Sequence, residues 1–342
     1  MDAASVVKRV VLTLGLALLT SSGTADATPQ FGRLSETEQK LLDLARRLRE
    51  RKDTEGLVLA LNAASELRGG RSSHVKREII RALADMNPTK AVIDALIREV
   101  GSEGAGPSSR AEAAKALGST GDKRALDALV PVARGRRQND DIAARAFRLA
   151  AVQALSKLGG PRARKALLEC LGDLQEHAVV RRGALFSLMG MKLSEADRCA
   201  VVLLAANPDE AAAVWKPIIG LPQRTGDLRW VAPLLEVLGR LSALMEGKNE
   251  DARRKASQVF LAGLRSLESA LHKPVERLGC RLVPRAGAAI FSGKSGKKLL
   301  SYERAELLKS PEERKRVLGF WAKWWSDNET RRRSRARRGR RG

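Results

Sequence analysis

Residues 109–133 read SRAEAAKALGSTGDKRALDALVPVA, and this stretch decides the fold. In its first half Ala111, Ala114, Ala116 and Leu117 recur at helical spacing, and Gly118 and Gly121 offer the backbone freedom to end that helix and turn. Asp122 is placed to cap a second helix, because its carboxylate can accept hydrogen bonds from the free amides at a helix start. Ala125, Leu126, Leu129 and Val130 then form a second apolar stripe. Two helices this short cannot bury both stripes alone. They have to stack on similar neighbours, which makes the stretch one repeat of a solenoid.

Those neighbours are present on both sides. The small-plus-Leu pairs Ala82-Leu83, Ala116-Leu117, Ala154-Leu155 and Ser187-Leu188 follow one another at 34, 38 and 33 residues, a period of helical solenoids. Toward the N-terminus, Ser35 and Glu38 form a capping box ahead of Leu41, Leu42, Ala45 and Leu48, and a second helix follows Asp53 and ends at Gly69-Gly70. A third runs from about Ser72 through Val75, Ile79 and Leu83 to the break at Asn87-Pro88. Toward the C-terminus a helix over 141–158 ends in Gly159-Gly160, and Pro161 opens its partner. Beyond it the pattern loosens: Ser194 caps one helix, Asn207-Pro208 starts another, and Pro233 predicts a kink or a late start in a third.

Glu112-Ala113-Ala114-Lys115-Ala116-Leu117 followed by Gly121-Asp122-Lys123-Arg124-Ala125 resembles the HEAT-like repeats first recognised in phycobilin lyases. The likeness is strongest over 109–171. It implies an all-α chain, an α-solenoid of stacked helix-turn-helix HEAT-like repeats, with a concave face used for binding. In that family the turn Asp and the basic residue after it commonly link neighbouring repeats; Asp122 and Arg124 match, whereas Gly160-Pro161-Arg162 lacks the Asp. Lys90, Lys123, Arg124, Arg162, Arg164 and Lys165 form a row of cations at second-helix starts, where positive charge runs against the helix dipole. Two readings stand for this row and Asp122: a repeat-to-repeat ladder, or an anion-binding strip on the concave face. The resemblance does not carry lyase activity with it, and a bilin-lyase-like enzyme subunit is the minor alternative.

The composition sets the remaining bounds. Hydrophobic residues make up 44% and aromatic residues 4%, which suits an Ala/Leu/Val core of packed helices. A net charge of +24 attracts polyanions. Lys8 and Arg9, the apolar run 10–19 and Ala25-Asp26-Ala27 together read as a signal peptide over 1–27, so the expected address is the periplasm or cell envelope. A linker over 28–34 then leads into the solenoid over 35–272, an irregular segment over 273–309, a Trp-rich helix over 310–328 and a disordered tail over 329–342. Ser310, Pro311 and Glu313 mark the start of that helix, and Phe320, Trp321, Trp324 and Trp325 fall on its broad apolar face, opposite Lys315, Arg316 and Lys323. It is expected to cap the end repeat; insertion at a membrane surface and anchoring of a partner are the alternatives. The helix resembles the Trp-rich ends of other exported bacterial HEAT proteins.

Arg331, Arg332, Arg333, Arg335, Arg337, Arg338, Arg340 and Arg341 give the tail the means to attach to a dense polyanion, or simply to solubilise the chain end. Catalysis finds little in the sequence. His74, His177 and His272 stand apart, without the repeated His-Glu motifs of HEAT-like di-iron enzymes, and no cofactor or metal is expected. Gly293-Lys294-Ser295 misses the phosphate-loop spacing after Gly287 and reads as a basic turn. Cys170, Cys199 and Cys280 are too scattered for a disulfide framework, and the first two read as buried apolar residues. The expectation is a non-enzymatic scaffold whose partner is another protein, with anionic lipid or an acidic polymer as the alternative, and nucleic acid only if the chain is not exported. No integral membrane span is expected in the mature chain.

Overall fold

A computed structural model describes residues 34–66, 72–135, 141–207, 210–277, 281–284, 288–292, 295 and 298–338. The expected leader, Gly69, Gly70, Cys280, Gly293, Lys294, Arg340 and Arg341 lie outside them. The chain divides into two compact units, Met1–Met191 and Lys192–Gly342.

The first unit is built from α1 (Glu36–Glu50), α2 (Thr54–Ser65), α3 (Ser72–Ala84), α4 (Lys90–Gly101), α5 (Pro107–Thr120), α6 (Ala125–Arg134), α7 (Ile142–Leu158), α8 (Gly160–Gly172) and α9 (Ala178–Met189). The odd-numbered helices pack side by side in one layer and the even-numbered ones in a second, the all-α stacking of a helical-repeat solenoid. Each even-numbered helix rests on the odd-numbered helix that follows it, so consecutive repeats interlock. Every member of the four small-plus-Leu pairs is buried in this core. Local chemistry sets the helix starts: Ser35 and Glu38 complete their capping box, and the Asp53 carboxylate accepts from the Gly56 amide at 2.8 Å.

Two details of the reference repeat differ from expectation. Gly121 has φ +73° and ends α5, as a left-handed cap requires, but Gly118 lies inside the helix. Its role is close approach: a Cβ there would stand 2.7 Å from the Ala154 Cα and 2.8 Å from its Cβ, so α5 and α7 meet backbone to backbone. Asp122 does not cap α6 in the usual way either. Its carboxylate accepts from the Arg124 amide at 2.8 Å, one residue before the helix begins, and holds the turn instead.

The second unit contains α10 (Glu195–Leu203), α11 (Ala212–Ile219), α12 (Leu221–Thr225), α13 (Val231–Leu244), α14 (Glu250–Arg277), α15 (Arg304–Lys309) and α16 (Pro311–Arg338). Of the two outcomes open for Pro233, the late start is the one found: a 3-10 turn at Leu228–Trp230 precedes α13, and Pro233 sits in its first turn, where no amide is missed. The segment expected to be irregular contains regular elements among its described residues. Helix α14 continues to Arg277, and β1 (Arg281–Pro284), β2 (Ala288–Ser292) and β3 (Lys298–Glu303) form an antiparallel sheet in the order β1-β2-β3. Ala289 and Phe291 are buried while Ala288, Ile290 and Ser292 are half-exposed; an apolar Ile on the outer face hides this alternation in the sequence. The sheet is tied to α14 by a buried network in which Tyr302 Oη and Arg304 Nη2 each donate to Glu268 at 2.6 Å. Burial and the adjacent Glu268 carboxylate push the Tyr302 hydroxyl far above its ordinary pKa.

Helix α16 packs on α13, α15 and β3. Ser310 accepts from the Glu313 amide at 3.1 Å, but the reciprocal half of the expected capping box does not form, because Glu313 turns to Arg316 at 2.7 Å. The tail also departs from expectation: residues 329–338 continue the helix. Once the docked segment before them has met the nucleation cost, adding good helix formers such as Arg is cheap.

Replacing Gly118 by Ala is therefore expected to destabilise the first unit by about 1–3 kcal/mol, although Ala is the better helix former. Chemical denaturation followed by circular dichroism measures it; an equal or raised stability would mean that α5 and α7 do not need this approach.

Candidate functional site

Two columns of charged residues cross the repeats of the first unit. One is buried and lies on the odd-numbered helices. Lys76, Arg110, Arg148 and Arg181 recur at 34, 38 and 33 residues, each six before a small-plus-Leu pair. Lys76 Nζ pairs with Glu99 at 3.3 Å, and the Arg148 guanidinium grips the Glu176 carboxylate through two bonds of 2.9 and 3.1 Å. Arg110 Nε donates to the Val100 carbonyl at 2.9 Å and the guanidinium lies 4.4 Å from the Phe147 ring centre; Arg181 Nε donates to the Leu171 carbonyl at 2.8 Å. The cations thus collect at the C-terminal ends of α4 and α8, where the helix dipole is negative. The column was missed in the sequence, and its signal was a basic residue held at constant distance from the repeat marker.

The other column is exposed and lies on the even-numbered helices. Arg124 Nη1 reaches Asp94 of the preceding repeat at 2.9 Å while Nη2 holds Asp122 at 2.8 Å. Arg162 reaches back to Asp127 at 2.6 Å, and Arg134 pairs with Glu169. Of the cations singled out in the sequence, Arg124 and Arg162 are rungs of this ladder, with Asp122 bracing the first. The Lys123 ammonium instead donates to the Leu158 carbonyl at the end of α7, and Arg164 is half-buried and partnered. Lys90 and Lys165 are exposed. Lys165 stands at the repeat position that Asp94 and Asp127 occupy earlier, so the acceptor side of the ladder ends there by reversal of sign. A comparable contact joins the odd-numbered helices, where Arg81 meets Glu112 at 3.2 Å.

An open slot of about 400 Å3 lies between these helices, lined by Val100, Pro107, Pro131, Val132 and Phe147, with the nearly buried Arg110 and Arg148 at its walls. In the second unit, Trp321 and Trp325 are buried, whereas Phe320 and Trp324 are half-exposed; the Phe291 ring meets those of Phe320, Trp321 and Trp324 edge-on at 5.4–5.9 Å. The helix covers the sheet through this cluster. Arg331, Arg332, Arg333, Arg335, Arg337 and Arg338 lie on the last turns of α16.

His177 Nδ1 accepts from the Val179 amide at 3.2 Å and caps α9. Burial raises the Cys170 thiol to about 12, so it stays protonated and unreactive at neutral pH. Among the described residues no three His, Cys, Asp or Glu side chains come together as a metal site, and no helix is long and apolar enough to cross a membrane.

Two outcomes are expected from the columns. Arg148→Ala strands the buried Glu176 carboxylate and is expected to cost about 3–5 kcal/mol in a denaturation experiment. The second concerns pH. Hydrogen bonds from the Arg124 side chain and amide hold the Asp122 carboxyl below its ordinary value. Burial pushes Glu112 upward, but the bonds and charges of Arg81 and Lys115 outweigh it and leave this carboxyl lowered too. Both groups bind protons more weakly folded than unfolded, so their stabilisation is present above about pH 4 and is lost as the pH falls through their folded values. In low salt the melting temperature drops on acidification, and drops less in a Glu112→Gln, Asp122→Asn variant.

The fold and its columns can now be set beside known proteins. The family profile for HEAT repeats matches residues 62–146, and that for the PBS lyase HEAT-like repeat matches residues 147–173. No curated protein matches the chain. The two profiles meet between Ala146 and Phe147, within α7, and together cover the exposed column and the buried one as far as Arg148, with Arg181 on α9 beyond them. Residues 62–173 of the chain are HEAT-like repeats.

Proposed function

We propose that this protein is an exported, non-catalytic scaffold that holds another protein against the face lined by its even-numbered helices. The observation that carries the reading is the apolar slot beside the exposed ladder. Val132 and Phe147 line a recess that takes an apolar side chain, while the rungs around it offer charges of both signs to a polar rim. The ladder fixes the register of the repeats before a partner arrives, which lowers the ordering cost of binding. Export rests on the basic, apolar and small-residue series of residues 8–27.

A second reading is favoured by the helical tail. Six arginines between positions 331 and 338 share one continuous helix, a dense positive charge suited to anionic lipid or an acidic envelope polymer, and to nucleic acid in an unexported chain.

Cell fractionation with mass determination of the N-terminus tests the address: a chain beginning at Thr28 in the envelope fraction is expected, and an intact Met1 chain in the cytosol would overturn export. Cross-linking in cells tests the face. A partner captured by the wild-type chain is expected to be lost with Val132→Arg at unchanged melting temperature; capture that survives the substitution would remove the slot from the binding surface. Attachment to anionic vesicles that falls with added salt and with deletion of residues 329–342 would establish the second reading.

A further inference from the structure

Helix α16 is held by its first half. Arg314 donates to the Ser242 hydroxyl at 2.8 Å, to the Leu307 carbonyl at 2.9 Å and to Glu246 at 3.2 Å, and Val317, Trp321 and Trp325 are buried. The same helix then runs without a break to Arg338. A stretch that reads in the sequence as a loose tail is thus the continuation of a docked helix, and its arginines take set positions around one axis.

Those positions go all the way round. At about 100° per residue, Arg331, Arg335 and Arg338 fall within about 60° of one another, Arg332 follows at about 100° from Arg331, and Arg333 and Arg337 come at about 200° and 240°, on the opposite side. No gap between neighbouring arginines is wider than about 100°, and only Ser334 and Ala336 stand in the wider ones. A helix that lies in a membrane surface needs an apolar face at least that wide, with its cations on the other side. This segment has none. The aromatic residues upstream are occupied within the fold, since Phe320 and Trp324 meet the Phe291 ring at 5.4 and 5.9 Å. Any flat anionic surface would also reach one side and leave the other without counter-charge.

The spacing along the axis points the same way. Arg331 to Arg338 spans about 10.5 Å at 1.5 Å per residue. Six cations in that length make about one per 2 Å, close to the one phosphate per about 1.7 Å of a nucleic-acid duplex. Asp327 and Glu329, one turn ahead of Arg331 and Arg333, are the last carboxylates of the sequence, so six cations stand against two acids. Arg331 and Arg335, and again Arg333 and Arg337, are like charges one turn apart, an arrangement that disfavours a helix until anions stand between them.

We infer that the end of α16 is a rod around which a phosphodiester polymer closes, with phosphates on both of its sides at once. The ligand chemistry is a chain of phosphates at the axial spacing of the arginines. The major groove of a DNA duplex, about 12 Å wide, admits an α-helix between two such chains, and a flexible phosphodiester polymer of a cell envelope reaches both sides by wrapping. The inference rests on the polyanion reading of the tail and adds the kind of polyanion that fits it.

The test uses the full chain with three probes: a fluorescent DNA duplex of about twenty base pairs, a fluorescent glycerol-phosphate polymer and vesicles of anionic lipid. Binding is followed over a series of salt concentrations, because each phosphate contact on a duplex adds about 0.9 to the slope of log affinity against log salt. Two double variants remove equal charge from opposite sides, Arg331→Gln with Arg335→Gln and Arg333→Gln with Arg337→Gln; Gln nearly matches Arg in helix propensity. On the duplex the slope is expected to become shallower by about 2 in each of them, at unchanged circular dichroism. The polymer bound more tightly names the source of the phosphates. A shallower slope in one double variant with none in the other means contact through a single side and overturns the inference, as does tighter binding to vesicles than to either polymer. Absence of binding to all three probes removes the polyanion reading as well, so the two failures are told apart.

Discussion

The contact between Gly118 and Ala154 is the constraint on which the repeat stack depends. With a Cβ 2.7 Å from the opposing Cα, no other residue can stand at position 118 unless α5 and α7 move apart. That spacing lets the even-numbered helices lie across the odd-numbered ones that follow and close the core over Leu117 and Leu155. A solenoid has no central core to absorb an error in one interface, because each repeat touches only its neighbours. One close helix crossing in the middle of the unit therefore has consequences on both sides.

Charge supports the same stack in two different regimes. Arg148 and Glu176 are buried, paired and hydrogen-bonded, so their value lies in the penalty for losing either one. Arg124 and Arg162 are exposed, and each pair adds little stability in water. Their contribution is geometric, since an Arg that meets an Asp on the preceding repeat resists sliding of one helix over the next. Of the basic residues that oppose the helix dipole at second-helix starts, Arg124 and Arg162 are offset by Asp94 and Asp127.

Much of this was legible in the sequence, for identifiable reasons. The 34-, 38- and 33-residue spacing of the small-plus-Leu pairs exposed the repeat because those positions face the core in every copy. Asp122 and Arg124 match the turn pair of the resembling repeats, and in the structure Arg124 reaches both Asp122 and Asp94, although Asp122 braces a turn and does not cap α6. Gly118 was misassigned because helix ends and close helix crossings both select Gly, and only the opposing residue distinguishes them. The sheet over residues 281–303 was hidden for another reason: strands of four to six residues are too short to show a sustained alternation, and Ile290 masks the one there is. The buried column was overlooked because Lys and Arg in a basic chain read as solvated surface, and only their register with the repeat marks them out.

The substitution of Lys165 for the acceptor held by Asp94 and Asp127 gives the array a direction of growth. A copied repeat inserted ahead of α8 would present an Asp to Arg162 and accept Asp94 or Asp127 as its own neighbour, so the exposed column could lengthen without a mismatch. A copy inserted behind α8 would bring its arginine against an ammonium. The exposed column thus favours extension by duplication on one side of this position and mildly disfavours it on the other, by the charge of a single side chain.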